Sequence, residues 1–516
     1  MNGSEMSVPW LTILGLLPLL AAVVVTLLPR GSSVARSVAL AVSVVVLALS
    51  VVVAVQFEPG AGFQFVEQHQ WIEAFGAHYA VGLDGLGLLL VLLTTILTPV
   101  VILASWHDAD DGRWSTNSFF GWILALEGLA VGVFAATDVF LFYVLFEATL
   151  IPIYFLIGGF GGAQRSYAAV KFLLYSLFGG LLMLASVVGL YVVSADSASG
   201  PSYLLEDLMK VSSSMDTGTG RWLFLGFFIA FAVKAPMWPV HTWLPDAASE
   251  ATPGTSVLLV SVLDKIGTFG MMRFCLGIFP EASRWATPVV MALAVFSVLY
   301  GALLAIGQND IRRLIAYTSI SHFGFIVLGI FAFTSQGQSG SALYMFNHGI
   351  STAALFLVTG FLISRRGSKL ISDYGGVERV APVLAGIFLV AGLSTLSLPG
   401  LAPFVSEFLV LAGTFTTSVP AAVLATLGIV LAAVYILLMY QQTMTGPIRE
   451  STRHLPDLRP RELAALTPLV ALIVVLGFFP QPALDVVNPT VGRLLQHVGV
   501  TDPRPTVAGE GQETPQ

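Results

Sequence analysis

The chain has 516 residues, 56% of them hydrophobic and only 10% charged, with a mean hydropathy of +0.86 and a formal charge of −7. That composition excludes a soluble globular fold and describes a polytopic membrane protein. One cysteine, Cys275, excludes an internal disulfide and a cysteine-ligated zinc or iron–sulfur centre; the 8 histidines offer no closely spaced ligand pair, and no glycine-rich nucleotide loop follows a strand.

Taking about 20 apolar residues as one crossing of the hydrocarbon, the chain divides into roughly fourteen spans: 10–28, 34–55, 80–105, 117–136, 138–157, 166–193, 221–241, 254–279, 285–306, 311–332, 340–363, 380–415, 419–444 and 463–480. Residues 1–9 lack a basic leader segment, so the first run reads as a retained span. The expected fold class is all-α. The seventh span carries Lys234 with Pro236 and Pro239 just behind it, and proline removes a backbone donor and clashes with the preceding turn, so this helix is expected to break beside the lysine. The twelfth is too long for one straight helix and contains Pro399 and Pro403 in SLPGLAPFVSEF, which predicts a second break with Glu407 just past it.

Fourteen of the 23 lysines and arginines, among them Arg30, Arg113, Arg312, Arg313, Arg365, Arg366, Arg459 and Arg461, fall in loops of one side. Only Lys210, Arg221, Arg284, Arg493 and Arg504 fall on the other. Basic residues are held in the cytoplasm, so an even number of spans with both termini outside is expected. The loops near 56–79 and 194–220 are the acidic, external ones, and the SASGPSY, SSSMDTGTG and PRPTVAGEGQETPQ segments read as loop or disordered tail.

A faint internal repeat accompanies the two broken helices. Glu147 and His322, Lys234 and Glu407, and Lys171 and His348 are separated by nearly equal stretches of chain. This divides the protein into a three-span region (1–116), two five-helix repeats (117–279 and 285–444), and a last span with its tail (445–516). Five is odd, so the second repeat runs inverted, an arrangement that places sites near the bilayer midplane.

Within the spans lie Glu127, Glu147, Lys171, Lys234, Asp264, Lys265, His322, His348 and Glu407. A charge at that depth costs roughly 2.5 to 3.5 kcal/mol on the insertion scale, so such groups are kept for a use. Carboxylates, amines and imidazoles spaced through a bilayer suit proton relay, because each can exchange its proton with water or a neighbour. Structural roles compete: Lys234 as a counter-ion of Glu147, His322 bonded to Ser319 or Ser321, Lys171 snorkelling to an interface, and Asp84 at a helix start. His241 and Asp246, in HTWLPDAASEATP after the first break, read as a gate or as cap and turn residues.

The stretches VKAPMWPVHTWLPDAASEATPGTSVLLVSVLDKIGTFG and GQNDIRRLIAYTSISHFGF resemble the two signature regions of the antiporter-like subunits of respiratory complex I and of Mrp-type sodium/proton antiporters. Glutamate at 407, where other large members carry lysine, and a tail too short for a lateral helix are similar to the M-type subunits. The resemblance implies a proton-translocating membrane subunit of an NADH–quinone oxidoreductase in a bacterial plasma membrane, with Glu147, Lys234, Lys265, His322, His348 and Glu407 as relay residues and Lys171, Glu127, Asp264 and His241 in support. It implies other membrane subunits on both flanks, lipid contact, no nucleic acid, and no cofactor or metal in this chain, with flavin, iron–sulfur clusters, NADH and quinone reached only through partners. Ala402 and Pro403 depart from the family's usual small polar and glycine residues before the glutamate. A sodium/proton antiporter subunit, or an assembly protein without transport, are the alternatives the residues leave open.

Overall fold

A computed structural model describes residues 8–29, 33–110, 114–195 and 200–502. The 503–516 tail, part of the SASGPSY segment, and Arg30, Arg113 and Arg504 lie outside those residues.

Among the described residues, 12 helices are long and apolar enough to cross a membrane, and they coincide with twelve of the expected spans. The two remaining expected spans are those with prolines behind or before an ionisable residue, and both are interrupted. Helix Thr217–Lys234 stops at its lysine, the chain turns through 235–242, and Trp243–Glu250 follows. Helix Pro382–Thr395 gives way to Ala402–Thr417, and in the gap Ser397 (φ 62°) and Gly400 (φ 93°) take left-handed backbone that no helix continues through. A third irregularity was not anticipated: the fifth span divides into Val139–Ala148 and Leu150–Phe160. Pro152 cannot donate to the carbonyl of Ala148, which loosens the turn that holds Glu147.

Burial separates core from perimeter. The span Pro253–Leu276 is 100% buried over its apolar window, and Ile311–Phe331 and Ser335–Arg366 are each 94% buried, whereas Val34–Gln56 is 28% and Arg165–Ser194 is 39% buried. Outer helices therefore present leucine, valine and phenylalanine, including Leu174, Phe178 and Leu181, to the surroundings, as lipid or a neighbouring subunit requires. The helix bearing Lys265 is also irregular, with π-helical turns at Leu258–Leu263 and Met271–Leu276 on either side of Lys265–Gly270. Such bulges widen a helix locally and recur at functional sites.

The chain is helical as expected, with one small sheet added. Across the stretch read as an external loop and the first residues of the expected third span, β1 (Gln64–Ile72) and β2 (Ala77–Leu83) pair antiparallel around a short turn closed by Gly76 at φ 62°. The hairpin is tied to the bundle. Glu67 accepts from the amides of Leu11 (2.8 Å) and Thr12 (3.2 Å), supplying acceptors to free donors at the start of the first helix. Asp138 accepts from His78 N and from Leu141 N, both at 2.9 Å.

One correction concerns 445–516, expected to hold one span and a disordered tail. After the span Pro460–Phe478 comes a further helix, Gln481–Val498, amphipathic and lying across the hairpin end of the bundle. Its Thr490 hydroxyl accepts from Gly85 N (3.1 Å), Arg493 donates to Gly60 O (3.0 Å), and His497 Nε2 is 2.8 Å from Gly277 O. A Cβ on Gly85 would meet Val486 O at 1.9 Å, so only glycine permits this approach.

Candidate functional site

The ionisable groups inside the bundle fall into two clusters that differ in how their polar atoms are met. In the first, Lys234 ends its helix at the break, fully buried, its Nζ 5.0 Å from the Phe146 ring centroid and 5.5 Å from that of Phe172. Aromatic faces attract a cation but do not accept its three protons as oxygens would. Nζ has no hydrogen-bond partner, and neither has Glu147 Oε1. The expected Glu147–Lys234 pair is therefore not hydrogen-bonded in this state. Helix Arg165–Ser194 passes between their helices with two glycines side by side: a Cβ on Gly179 would touch the Lys234 helix at Ala230 and Val233, and one on Gly180 would meet Glu147 Oε1 at 1.8 Å. Small residues here make the space in which the carboxylate stands.

The second cluster is joined almost throughout. Lys265 Nζ donates to Val260 O (3.0 Å), within the π-helical turn, and to His348 Nδ1 (2.7 Å), and it lies 4.5 Å from the Phe323 ring centroid. An ammonium has no acceptor, so His348 accepts at Nδ1 and carries its own hydrogen on Nε2, which is buried with no partner. The rings of His348 and His322 have centroids 5.2 Å apart. Beyond that gap, His322 Nδ1 is 2.6 Å from the Tyr344 hydroxyl, and Tyr344 donates to Glu407 Oε2 at 2.7 Å. Ser397, at the break in the twelfth span, donates to the same carboxylate oxygen, and Tyr435 Oη is 3.5 Å from His322 Nε2. The structural alternative for His322 is replaced: Ser319 and Ser321 bond to the carbonyls of Ile315 and Val298 instead. Asn347 donates to Ala402 O (2.8 Å), fastening the helix of His348 to the segment that carries Glu407.

Asp264 belongs to neither cluster by contact. Both its oxygens are buried without a hydrogen-bond partner, and Lys265 and Lys234 both lie near enough to act on it electrostatically. It thus lies in the field of both lysines.

The remaining sequence-selected residues lie off this line. Lys171 donates to Asp246 Oδ2 (2.7 Å) and Arg313 to Asp246 Oδ1 (2.6 Å), so Asp246 is an ion-paired tie between three helices. His241 stacks edge-on to Tyr300 (5.2 Å) with its Nδ1 unpartnered. Glu127 is 1% exposed, with both oxygens unpartnered, on helix Thr116–Ala135. Asp84 caps Gly85–Ala104, accepting from Gly87 N (2.9 Å), and is also ion-paired to Arg273 (2.6 Å). At the end opposite the hairpin, a cavity of about 270 Å³ is lined by Ser105, Asp108, Glu250, Thr252 and Arg312. Burial pushes the Asp108 carboxyl above its ordinary 3.8, opposed by the Ser105 hydroxyl and by Arg312 and Arg461.

Tyr344, Tyr435 and Ser397 were not singled out from the sequence, because none carries a charge that makes its burial costly. Tyr344 stands four residues before His348, on the same helix face, and that spacing is the signal that finds it.

The protein family described as NADH:quinone oxidoreductase/Mrp antiporter, TM, matches residues 136–432. The chain is 52% identical to NADH-quinone oxidoreductase subunit M of Mycobacterium tuberculosis, covering 97% of each chain. It is 39% identical to the same subunit of Rhodobacter capsulatus, over 94% of this chain and 96% of that one. Among solved structures, a chain of respiratory complex I from Thermus thermophilus with bound NADH superposes with a TM-score of 0.86 at 32% identity, covering 95% of this chain and 100% of that chain. A chain of the Mrp complex from a Dietzia species has a TM-score of 0.82 at 21% identity, covering 95% and 99%, a likeness of fold alone.

Proposed function

Because the chain belongs to the NADH:quinone oxidoreductase/Mrp antiporter family, and within it to the subunit M group, we propose that it carries protons across the membrane for an NADH–quinone oxidoreductase, in a bacterial plasma membrane. The observation that carries this reading is the polar connection Lys265–His348–His322–Tyr344–Glu407 through the most buried helices of an otherwise apolar bundle.

Proton transfer along it needs no large motion beyond one gap. A proton reaching His322 Nε2 releases the one on Nδ1 to the tyrosine oxygen, and the tyrosine's own proton passes to Glu407 Oε2. The two imidazoles are in ring contact, centroids 5.2 Å apart, without a hydrogen bond, and reorientation of one ring carries the proton across. Lys265 loads His348 by donating its proton to Nδ1. At the other end, Glu147 and Lys234 form the pair whose opening and closing sets the charge felt at Asp264 and so at Lys265, with Lys171, Glu127 and His241 in support. The hairpin end faces outside the cytoplasm, where the basic loops are sparse.

The chain works among other membrane subunits on both flanks, and the driving energy arrives from redox partners as a shift in electrostatics or helix position. NADH, quinone, flavin and iron–sulfur chemistry reside in those partners. The antiporter alternative rests on a likeness at 21% identity, whereas the subunit M relatives align nearly end to end. The test is the assembled complex in liposomes: NADH oxidation by quinone should acidify the lumen, and Glu147→Gln should abolish most acidification while NADH–quinone activity and assembly persist. Normal acidification in Glu147→Gln overturns the reading, and an unaffected transport rate across all buried-charge variants would favour an assembly protein.

A further inference from the structure

Arg273 has no part in the relay, yet its side chain is 6% exposed and held with unusual care. Its NH2 donates to Asp84 Oδ1 at 2.6 Å, and its guanidinium lies between two aromatic faces, 4.8 Å from Phe63 and 5.0 Å from Phe269. Its Nε has no partner. It sits on the fully buried helix eight residues beyond Lys265, about 12 Å along the axis. Phe269 falls midway, so 265, 269 and 273 share one face of that helix. From the hairpin end, a cavity of about 330 Å³ reaches Arg273 and Asp84, with Phe63, Met209, Glu206 and Arg493 also in its wall. The cavity thus borders the hairpin-side end of the Lys265 helix, at Met272, Arg273 and Gly277. It stops at a cation backed by an aromatic ring.

A route for protons must exclude short circuits: Lys265 cannot trade protons freely with both sides. Guanidinium groups do not give up their proton and cannot relay one, and a fixed positive charge in a low-dielectric wall repels an approaching hydronium. We propose that Arg273 is the electrostatic barrier that closes the hairpin end of the bundle to protons, with Phe63 and Phe269 as the residues that position it. The inference rests on the proton-carrying function above and adds to it a residue that confers direction without touching the transported proton.

The experiment uses the complete complex in liposomes, with an imposed pH gradient and no NADH, and follows passive proton entry with a pH-sensitive dye. Arg273→Gln should leak about fivefold faster or more, since the barrier charge is gone. Arg273→Lys should stay tight, because the charge remains. Asp84→Asn should also stay tight: it breaks the ion pair but leaves the guanidinium in place. A merely structural ion pair predicts the opposite, that Asp84→Asn and Arg273→Gln leak alike. Should Arg273→Gln fail to assemble with Asp84 stranded, the double variant Asp84→Asn, Arg273→Gln leaves no buried charge and gives the same readout. A tight Arg273→Gln or double variant, or an equally leaky Asp84→Asn, overturns the proposal. The NADH-driven acidification of the unaltered complex, measured in the same vesicles, separates this failure from failure of the function itself.

Discussion

The cluster around Glu147 and Lys234 and the cluster from Lys265 to Glu407 use the same kinds of residue, but only one is wired. In the second, Lys265, His348, Tyr344 and Glu407 have oxygen or nitrogen partners at 2.6 to 2.7 Å, apart from one gap between imidazoles. In the first, Lys234 Nζ and Glu147 Oε1 have none. Lys234 is met by aromatic faces and not by oxygen, and Glu147, half-buried on a neighbouring helix, does not reach it. A conducting line and a switch need opposite properties: the line gains from partners already in place, while the switch gains from partners just out of reach.

Breaking the switch should have the largest effect. Lys234→Ala is expected to lower NADH-driven acidification by about tenfold or more with assembly intact, since the charge that Asp264 and Glu147 respond to is removed. A variant that pumps normally would show the unmet charge to be idle. Next comes the wire. Tyr344→Phe removes the only hydroxyl joining His322 to Glu407 among the described residues, leaving ring packing unchanged, and should slow pumping about three- to tenfold, with NADH–quinone turnover less affected. Retained pumping would place the route elsewhere, for instance through Tyr435.

Gly180→Ala sharpens the comparison from the packing side. Its Cβ would meet Glu147 Oε1 at 1.8 Å, so the carboxylate must leave its niche, and we expect pumping reduced severalfold together with about 1 to 3 kcal/mol of lost stability. If only stability falls, the niche is a packing feature. The smallest effect belongs to a carboxylate outside both clusters. Burial raises the Asp108 pKa in the folded chain, so the fold holds that proton more tightly than the unfolded chain does. The stability this contributes is complete below the ordinary 3.8 and is lost as pH rises through the higher folded value. Asp108→Asn should therefore melt within a degree of the parent near pH 4 and slightly above it near neutral pH, by scanning fluorimetry, with pumping unchanged.

Much of this could be read from residues alone, and the reasons for the exceptions are physical. Spans follow from the cost of burying backbone and charge in oil, a signal spread over twenty residues, so their positions survive errors of a few residues. Breaks at Pro236 and Pro239 and at Pro399 and Pro403 follow from a missing donor. The hairpin escaped because QFVEQHQWI is mostly polar, while its short partner strand packs Ala77, Ala80, Val81 and Leu83 into the bundle and Glu67 and Asp138 fasten it there. The helix Gln481–Val498 escaped behind Pro482 and Pro489, although Val487, Val491, Leu495 and Val498 recur at helical spacing. That Glu147 and Lys234 stand apart is a matter of ångströms, set by Gly179 and Gly180 on a third helix, and no spacing along the chain encodes it.

The helix Gln481–Val498 has a consequence for biogenesis. It is synthesised after every segment it fastens, at Gly60, Gly85 and Gly277. Thr490, Arg493 and Leu494 of this helix line the cavity that reaches Arg273, so that wall is completed only when the helix docks. The wall of that cavity thus joins distant parts of the chain, Phe63 and Asp84 from before the third span and Arg493 from after the last one.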